Sequence, residues 1–300
     1  MSPRAGSHLA MLAVSAMVAG SFSLGALAAP HIAPEALTAL RFALASVLLL
    51  GLILAREGRL PQRALAAPWR YLLQGGVFSV YFVLMFEGLK TAPPVSAAAV
   101  YTTTPLLSAL FGLLLLSQRT TLGMALAMAL GAAGALWVIF RADLAALLAF
   151  DLGRGELIYF VGCLAHAFYV PLVRLLNRGE SALVFTFGTT LGGTLVLAVY
   201  AFPALRVTDW AALPAIVWLT LAYTTVFSTA ASFVLTQYAA LHLPAANVMA
   251  YTYLVPAWVI VWQLLLGAAL PPALLLPGLA MIVLALLAML GQGRRTTPSR

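Results

Sequence analysis

Apolar residues occupy this chain in long runs, and short polar or proline-containing segments separate one run from the next. An α-helix rises about 1.5 Å per residue, so about 20 apolar residues are needed to cross the roughly 30 Å hydrocarbon core of a bilayer. The pattern predicts an all-α integral membrane protein with ten transmembrane helices. These helices are predicted near residues 8–28, 35–54, 68–90, 93–116, 121–140, 155–174, 181–203, 211–241, 244–266 and 271–291.

The composition supports a single transmembrane domain. Of the 300 residues, 63% are hydrophobic and 8% are charged, and the mean hydropathy is +1.03. A water-soluble domain of this size needs more polar surface than such a composition provides. The apolar runs extend over nearly the whole chain, so we expect one transmembrane transport domain over residues 1–300, with a short cytoplasmic tail at 293–300.

The basic residues indicate how the chain is oriented in the membrane. The net charge is +8, but the basic residues stand mainly in the short breaks between apolar runs, which favours a topology signal over nucleic-acid binding. With the N-terminus in the cytoplasm, eleven of the sixteen basic residues fall inside and four fall outside. We therefore expect a multi-pass protein of the bacterial inner membrane with both termini cytoplasmic. The first run is expected to stay as a helix instead of being cleaved as a signal peptide.

The two halves of the sequence match each other at a constant offset of 151 residues. The matches are Phe82-Val83-Leu84 with Phe233-Val234-Leu235, Pro93 with Pro244, Ala99 with Ala250, and Pro105 with Pro256. Five helices per half is an odd number, so the second copy would enter the membrane upside down. We expect two inverted five-helix repeats, 1–145 and 150–292, which enclose a substrate site near the middle of the bilayer.

Three sequence features resemble a known superfamily. They are the paired five-helix halves, the Arg41-Phe42 pair early in the second helix, and the two prolines separated by eleven residues that open the fourth and ninth helices. Together they resemble the drug/metabolite transporter superfamily, and within it the ten-helix metabolite exporters that include the bacterial aromatic amino-acid exporters. The resemblance covers nearly the whole chain and implies transport of small metabolites around a central cavity.

Polar side chains within the spans identify candidate cavity residues. A polar group is costly in hydrocarbon, so such side chains should face protein or water. They concentrate in the third, fourth, eighth and ninth helices, with one histidine and one tyrosine in the sixth. A lining of aromatic rings, hydroxyls and amides suits a neutral or zwitterionic solute with an apolar side chain. The candidate substrate-binding residues are Phe78, Tyr81, Phe82, Tyr101, Thr104, His166, Tyr169, Ser232, Asn247, Tyr251 and Trp258.

Several polar residues within the spans also have a structural explanation that needs no cavity. Serine and threonine hydroxyls can bond to carbonyls of their own helix, and aromatic rings can belong to interfacial belts. Arg41 is close enough to a helix end to snorkel outward or to pair with Glu35 or Glu87. Glu87 and Lys90, three residues apart, are predicted to pair with each other or to face the outer vestibule.

Pro105 and Pro256 are candidate hinges for gating. A proline removes one helical hydrogen bond and clashes with the carbonyl four residues earlier, which here belongs to Tyr101 or to Thr252. Two bends at matching positions are suited to helices that flex as one gate closes and the other opens.

The resulting hypothesis is a secondary transporter or facilitator that exports small metabolites by alternating access, with amino acids carrying aromatic or apolar side chains as the preferred substrates. The alternatives are a proton-coupled multidrug transporter, a transporter of sugar phosphates or nucleosides, and, more remotely, a membrane-embedded lipid enzyme. The scattered histidines and the single Cys163 favour no enzyme, no metal site and no cofactor. The expected partners are a small-molecule substrate and the lipid bilayer, and the protein is expected to be a monomer.

Overall fold

The computed structural model describes residues 3–61, 67–118, 120–149, 152–240, 242–243 and 245–295. Within these residues, ten helices are long and apolar enough to cross a membrane. The ten spans are Pro3–Ala28, Pro34–Glu57, Trp69–Gly88, Pro94–Leu116, Leu122–Ile139, Arg154–Leu176, Ala182–Tyr200, Ala215–Thr236, Val248–Leu265 and Ala273–Gly291. The predicted fold class is therefore confirmed as an all-α protein with ten spans.

Several spans consist of more than one helical segment, so the α-helices outnumber the spans. In chain order they are α1 (Pro3–Ala28), α2 (Pro34–Glu57), α3 (Trp69–Gly88), α4 (Pro94–Tyr101), α5 (Thr104–Leu116), α6 (Leu122–Ile139), α7 (Leu144–Ala149), α8 (Arg154–Leu176), α9 (Ala182–Tyr200), α10 (Phe202–Val207), α11 (Ala215–Thr225), α12 (Ser232–Ala240), α13 (Ala245–Ala250), α14 (Val255–Leu265) and α15 (Leu276–Arg295).

Local sequence explains where several helices begin and end. Pro34 and Pro94 occupy the first turns of α2 and α4, where the missing N–H is not needed and the fixed φ angle already suits a helix. Ser181 caps α9 by accepting a hydrogen bond from the backbone N–H of Val184. Gly58 ends α2 with a φ angle of 71°, a left-handed conformation that glycine adopts without steric penalty.

The fourth, eighth and ninth spans are interrupted. In the fourth span a turn separates α4 from α5, and in the ninth span the 3₁₀ turn Tyr251–Leu254 separates α13 from α14. Each of these two breaks ends two residues before a proline, Pro105 or Pro256, which lies in the first turn of the following helix. In the eighth span the π-helical turn Val226–Ala231 joins α11 to α12.

The helices pair in a pattern that repeats between the two halves. The third span packs against the sixth and seventh, and the eighth span packs correspondingly against the first and second. The fourth span contacts the fifth and sixth, while the ninth contacts the tenth and first. The remaining main pairs are the second with the seventh, the fourth with the ninth, and the fifth with the tenth. Replacing each span by the one five places later therefore reproduces these main pairs.

Glycines allow two pairs of helices to approach closely. A Cβ atom on Gly75 of α3 would overlap the backbone of Thr189 and Gly193 in α9. Likewise, a Cβ on Gly134 of α6 would lie 2.6 Å from the carbonyl oxygen of Gly278 in α15. Small residues at such contacts bring helix backbones together, which favours association in the absence of a hydrophobic driving force between lipid-embedded helices.

Candidate functional site

Six of the predicted cavity residues form one contiguous aromatic layer. The Phe78 ring stacks on Tyr169 with centroids 4.4 Å apart, and the Tyr81 ring lies 4.5 Å from His166. The His166 ring is 5.7 Å from the Tyr101 ring. The Phe82 ring completes the layer and lies 4.8 Å from Phe78 and 4.6 Å from Tyr81. The members of this aromatic cluster are Phe78, Tyr81, Phe82, Tyr101, His166 and Tyr169.

Helical spacing and one helix contact bring the cluster together. Phe78, Tyr81 and Phe82 lie three and four residues apart on α3, so they share one face of that helix. His166 and Tyr169 are three residues apart on α8, and their rings are nearly parallel with centroids 6.1 Å apart. The cluster forms because α3 packs directly against α8.

Three rings of the cluster are partly accessible. Val80 is 46% exposed and lies on the outer face of that helix, about 160° around the axis from Phe78. Phe78 is nevertheless only half-buried, although its ring lies between Phe42 of α2, at 5.8 Å, and Tyr169 of α8. His166 and Tyr169 are half-buried as well. We call the partly accessible surface of Phe78, His166 and Tyr169 the exposed ring face.

A pair of tyrosine hydroxyls closes the buried side of the cluster. The hydroxyls of Tyr81 and Tyr159 are hydrogen-bonded at 3.1 Å, and Tyr159 is fully buried. The Tyr159 ring also packs edge-on against Phe22 of α1, with centroids 5.8 Å apart. Tyr159 was not among the predicted cavity residues, although it stands seven residues before His166 and therefore on the same face of α8.

Arg41 lies beside the cluster and is 1% exposed. Its guanidinium carbon sits 3.9 Å from the centroid of the Phe82 ring. Its Nε and Nη2 atoms donate hydrogen bonds to the Thr229 hydroxyl at 3.3 and 3.0 Å. The arginine therefore neither snorkels outward nor pairs with Glu35 or Glu87, and those two structural explanations were wrong.

The predicted ion pair between Glu87 and Lys90 is confirmed. Lys90 Nζ lies 2.5 Å from Glu87 Oε2, and both side chains are more than a third exposed. Because this pair is at the end of α3, its charges stay away from the aromatic cluster.

The π-helical turn positions Thr229. The Thr229 hydroxyl donates a hydrogen bond at 2.9 Å to the carbonyl of Thr224, five residues earlier, and accepts the two bonds from Arg41. π-helical turns insert an extra residue into a helix and occur frequently at functional sites. The sequence carried no signal for this turn, since four of the six residues from Thr224 to Thr229 carry hydroxyls and they follow no regular period.

Comparison with known proteins identifies the family. Residues 6–140 and 153–291 both match the EamA-like transporter family. The chain belongs to the EamA-like transporter family. This confirms the resemblance to the drug/metabolite transporter superfamily. The chain is therefore a multi-pass membrane transporter of small metabolites.

Two individual proteins are similar to this EamA-like transporter. An uncharacterized transporter, YyaM of Bacillus subtilis (strain 168), is 25% identical over 224 residues, which are 74% of this chain and 73% of the relative. A solved structure, described only as the crystal structure of a protein, is 22% identical, covers 98% of each chain and has a TM-score of 0.70. The similarity to the solved structure shows that the two proteins share a fold.

The candidate residues in the second half of this EamA-like transporter do not join the cluster. The Ser232 hydroxyl donates to the carbonyl of Ser228 at 2.9 Å, and the Tyr251 hydroxyl is bonded to His8 Nδ1 at 2.7 Å. Trp258 is half-buried against the hydrophobic core. Within the described part of the chain, Ser232, Tyr251 and Trp258 make no hydrogen bond or ring pairing with the aromatic cluster.

The remaining two predicted cavity residues are Thr104 and Asn247. Thr104 is 1% exposed at the start of α5, three residues after Tyr101 of the cluster. The side chain of Asn247 lies outside the described residues.

Polar side chains of the eighth and ninth spans bind the backbone of α1. Tyr223 and Ser228 both donate to the carbonyl of Met17 at 2.9 Å. Trp262 Nε1 donates to the carbonyl of Ala16 at 3.0 Å. These bonds fix the eighth and ninth spans against α1, which explains why several polar residues of these spans are engaged outside the aromatic cluster.

Two shallow depressions lie at the end of the molecule that holds Lys90. One has a volume of about 490 Å³ and is lined by the segment 29–33 and Lys90. The other, of about 440 Å³, is lined by 31–33 and by residues between Ala204 and Pro214. Both lie over the loop that joins α1 to α2.

Proposed function

We propose that this protein is a secondary transporter or facilitator that exports small metabolites, with amino acids carrying aromatic or apolar side chains as substrates. The aromatic cluster, with its exposed ring face, carries this proposal. Aromatic pairs in offset or edge-on contact contribute about 0.5–1.5 kcal/mol beyond the burial of apolar area. Rings at Phe78, His166 and Tyr169 are therefore suited to hold the side chain of such an amino acid.

Charge favours this substrate class over cationic drugs. A proton-coupled exporter of quaternary amines needs a buried carboxylate as counter-charge, and the aromatic cluster contains no acidic residue among the described side chains. The charged group that reaches the cluster is instead the cation Arg41, in contact with Phe82. A buried positive charge repels a cationic substrate and attracts a group with negative charge.

The repeated helix pairing supports alternating access between two inverted halves, 1–145 and 150–292. The family matches the chain twice, and spans five places apart have corresponding neighbours. Inverted halves of this kind expose a site near the middle of the bilayer to each side in turn. The broken spans at Pro105 and Pro256 are the hinges of this scheme, and the even number of spans together with the basic loops supports two cytoplasmic termini in the bacterial inner membrane.

The aromatic cluster lies within one chain, which supports a monomer as the transporting unit. The three helices that supply the cluster rings are α3, α4 and α8, and all three belong to the same polypeptide. A single copy per liposome should therefore transport substrate at the same rate per protein as several copies.

Counterflow into proteoliposomes tests the proposal. We expect exchange of labelled phenylalanine, tryptophan and leucine with no dependence on a pH gradient, and no exchange of arginine, nucleosides, sugar phosphates or quaternary amines. Phe78→Ala should lower the rate about tenfold, since one stacked ring contributes about 1 kcal/mol or more. Leu73→Ala is the matched control, because Leu73 lies on the same helix but is 45% exposed on its outer face.

Two results would contradict the proposal. One is proton-driven uptake of quaternary amines without amino-acid exchange, which indicates a multidrug transporter. The other is an equal loss of rate in Phe78→Ala and Leu73→Ala, which indicates that the exposed ring face does not contact the substrate.

A further inference from the structure

Arg41 is a buried cation without a carboxylate partner. Its side chain is 1% exposed, and the ion pairs found among the described residues join Arg70 to Glu180 and Lys90 to Glu87. Seven of the eight acidic residues in the chain are described, and none of them contacts Arg41. The positive charge is therefore held in the protein interior by neutral groups.

The guanidinium also retains unused hydrogen-bond donors. A guanidinium has five N–H donors. Nε and Nη2 each donate one bond to Thr229, whereas Nη1 is buried and has no hydrogen-bond partner. Three N–H groups therefore stay free, and two of them, one on Nη1 and one on Nη2, point in parallel along the edge that matches the two oxygens of a carboxylate.

The neutral neighbours of Arg41 do not compensate its charge. The Phe82 ring, 3.9 Å from the guanidinium carbon, attracts the cation only through the quadrupole of an uncharged ring. Removing an ion from water into a protein interior costs several kcal/mol even after relaxation, and a charge within a span is correspondingly rare and placed for function. A bound anion would supply the missing counter-charge.

We propose that Arg41 binds the carboxylate of the transported substrate through its free Nη1 and Nη2 edge. This inference rests on the proposed function, since it assigns the polar end of the same substrate. Arg41 contacts Phe82, whose ring lies 4.8 Å from Phe78, so the carboxylate and the side chain of one small amino acid occupy adjacent positions.

Carboxylate fits this position better than phosphate. A phosphate carries up to two negative charges and is usually bound by several basic groups or backbone N–H donors. Arg41 is a single charge, and no other described basic side chain makes a contact with the aromatic cluster. Phosphate shares the same anionic oxygens, however, so the experiment includes it as a separate ligand.

Ligand-dependent thermal stabilisation of the full-length protein in detergent tests the inference, because a ligand that binds the folded state raises its stability. The four ligands are phenylalanine, phenylalanine amide, 3-phenylpropionate and phenyl phosphate. We expect phenylalanine and 3-phenylpropionate to stabilise the protein at concentrations about tenfold to a hundredfold lower than the amide, which lacks the negative charge.

Arginine variants complete the test. Arg41→Gln should bring the half-saturating concentrations of the acid and the amide to within about threefold of each other. Arg41→Lys keeps the charge without the planar fork and should retain part of the preference. Arg56→Gln is the matched control, because Arg56 is an exposed arginine of the same helix, and it should behave as the wild type.

The outcomes distinguish the carboxylate site at Arg41 from the proposed amino-acid substrate. Equal responses to phenylalanine and its amide in the wild type, a preference that survives Arg41→Gln, or no response to any ligand would overturn the Arg41 inference. The first of these needs no variant and therefore holds even where Arg41→Gln does not fold. A response to 3-phenylpropionate or phenyl phosphate that depends on Arg41, without binding or exchange of phenylalanine, supports the anion site and overturns the amino-acid substrate proposed above.

Discussion

Arg70 and Glu180 form a buried ion pair, with Arg70 Nη2 2.7 Å from Glu180 Oε1 and both side chains 1% exposed. Arg70 lies in the first turn of α3, whereas Glu180 lies in the loop between α8 and α9. Arg70 also donates to the carbonyl of Leu176, and the other oxygen of Glu180 accepts the backbone N–H of Arg178 at 2.7 Å. The pair therefore ties the start of α3 to the α8–α9 loop, at the opposite end of α3 from Lys90.

Breaking this pair should destabilise the protein strongly. Glu180→Gln or Arg70→Met removes one partner and leaves the remaining polar or charged group buried, which costs about 3–5 kcal/mol. The thermal midpoint in detergent should fall in both variants, and the double variant Arg70→Met/Glu180→Met should lose less than the sum. Lys90→Gln breaks an exposed pair and serves as the control, with an expected cost of about 1 kcal/mol or less. Equal effects of Lys90→Gln and Glu180→Gln would contradict the prediction.

The same pair predicts a pH dependence of stability. Burial by itself raises the pKa of Glu180, but hydrogen bonds from Arg70 and from the backbone of Arg178 outweigh burial and lower the pKa from 4.5 to about 2. A lowered folded-state pKa gives stability that is present above pH 4.5 and is lost as the pH falls toward 2. Between about pH 6 and about pH 3, the thermal midpoint of the wild type should fall more steeply than that of Glu180→Gln. Parallel curves for the two proteins would show that Glu180 does not carry this dependence.

The hydroxyl pair of Tyr81 and Tyr159 should behave as a coupled unit. Tyr81→Phe or Tyr159→Phe leaves one buried hydroxyl without its partner, which costs about 1–3 kcal/mol. Replacing both residues by phenylalanine removes both polar groups and should cost less than the two single changes together. Thermal unfolding of the four proteins measures the coupling, and strictly additive losses would show that the two hydroxyls do not depend on each other.

Close backbone contact at Gly75 makes it intolerant of substitution. Gly75→Ala places a methyl group against the backbone of Gly193, so α3 and α9 must separate at a cost of about 1–3 kcal/mol. Gly51→Ala is the matched control in a helix, since no atom lies within 4 Å of the added Cβ. Because alanine favours a helix over glycine by about 1 kcal/mol, Gly51→Ala should be neutral or stabilising. A similar thermal midpoint for both variants would rule out this contact.

Pro105 and Pro256 should affect turnover more than folding. Alanine at either position restores a backbone N–H and removes the clash that interrupts the fourth or ninth span, which should stiffen the proposed hinge. We expect Pro105→Ala and Pro256→Ala to reach the membrane in normal amounts but to exchange substrate more slowly. Normal exchange rates in both variants would remove the hinge role.

Much of this architecture follows from local sequence. Apolar run length predicts all ten spans, and the turns before Pro105 and Pro256 follow from proline geometry. The six residues of the aromatic cluster were also predicted, because polar and aromatic residues within an apolar span avoid lipid. These features depend only on one helix and the lipid around it, so the order of apolar and polar residues along the chain is enough to predict them.

The tertiary structure alone decided which of the candidate side chains meet. Tyr251 bonds to His8 across 243 residues and so lies apart from the cluster, while Arg41 reaches Thr229 across 188 residues. Neither contact has a periodic signal, because a hydroxyl or guanidinium within a span can be satisfied by its own helix, by a neighbouring helix or by a ligand. The choice depends on how the helices rotate and pack. By itself, therefore, the sequence determined which segments cross the membrane and where they break, and packing determined which polar groups were left with partners and which were left to bind something else.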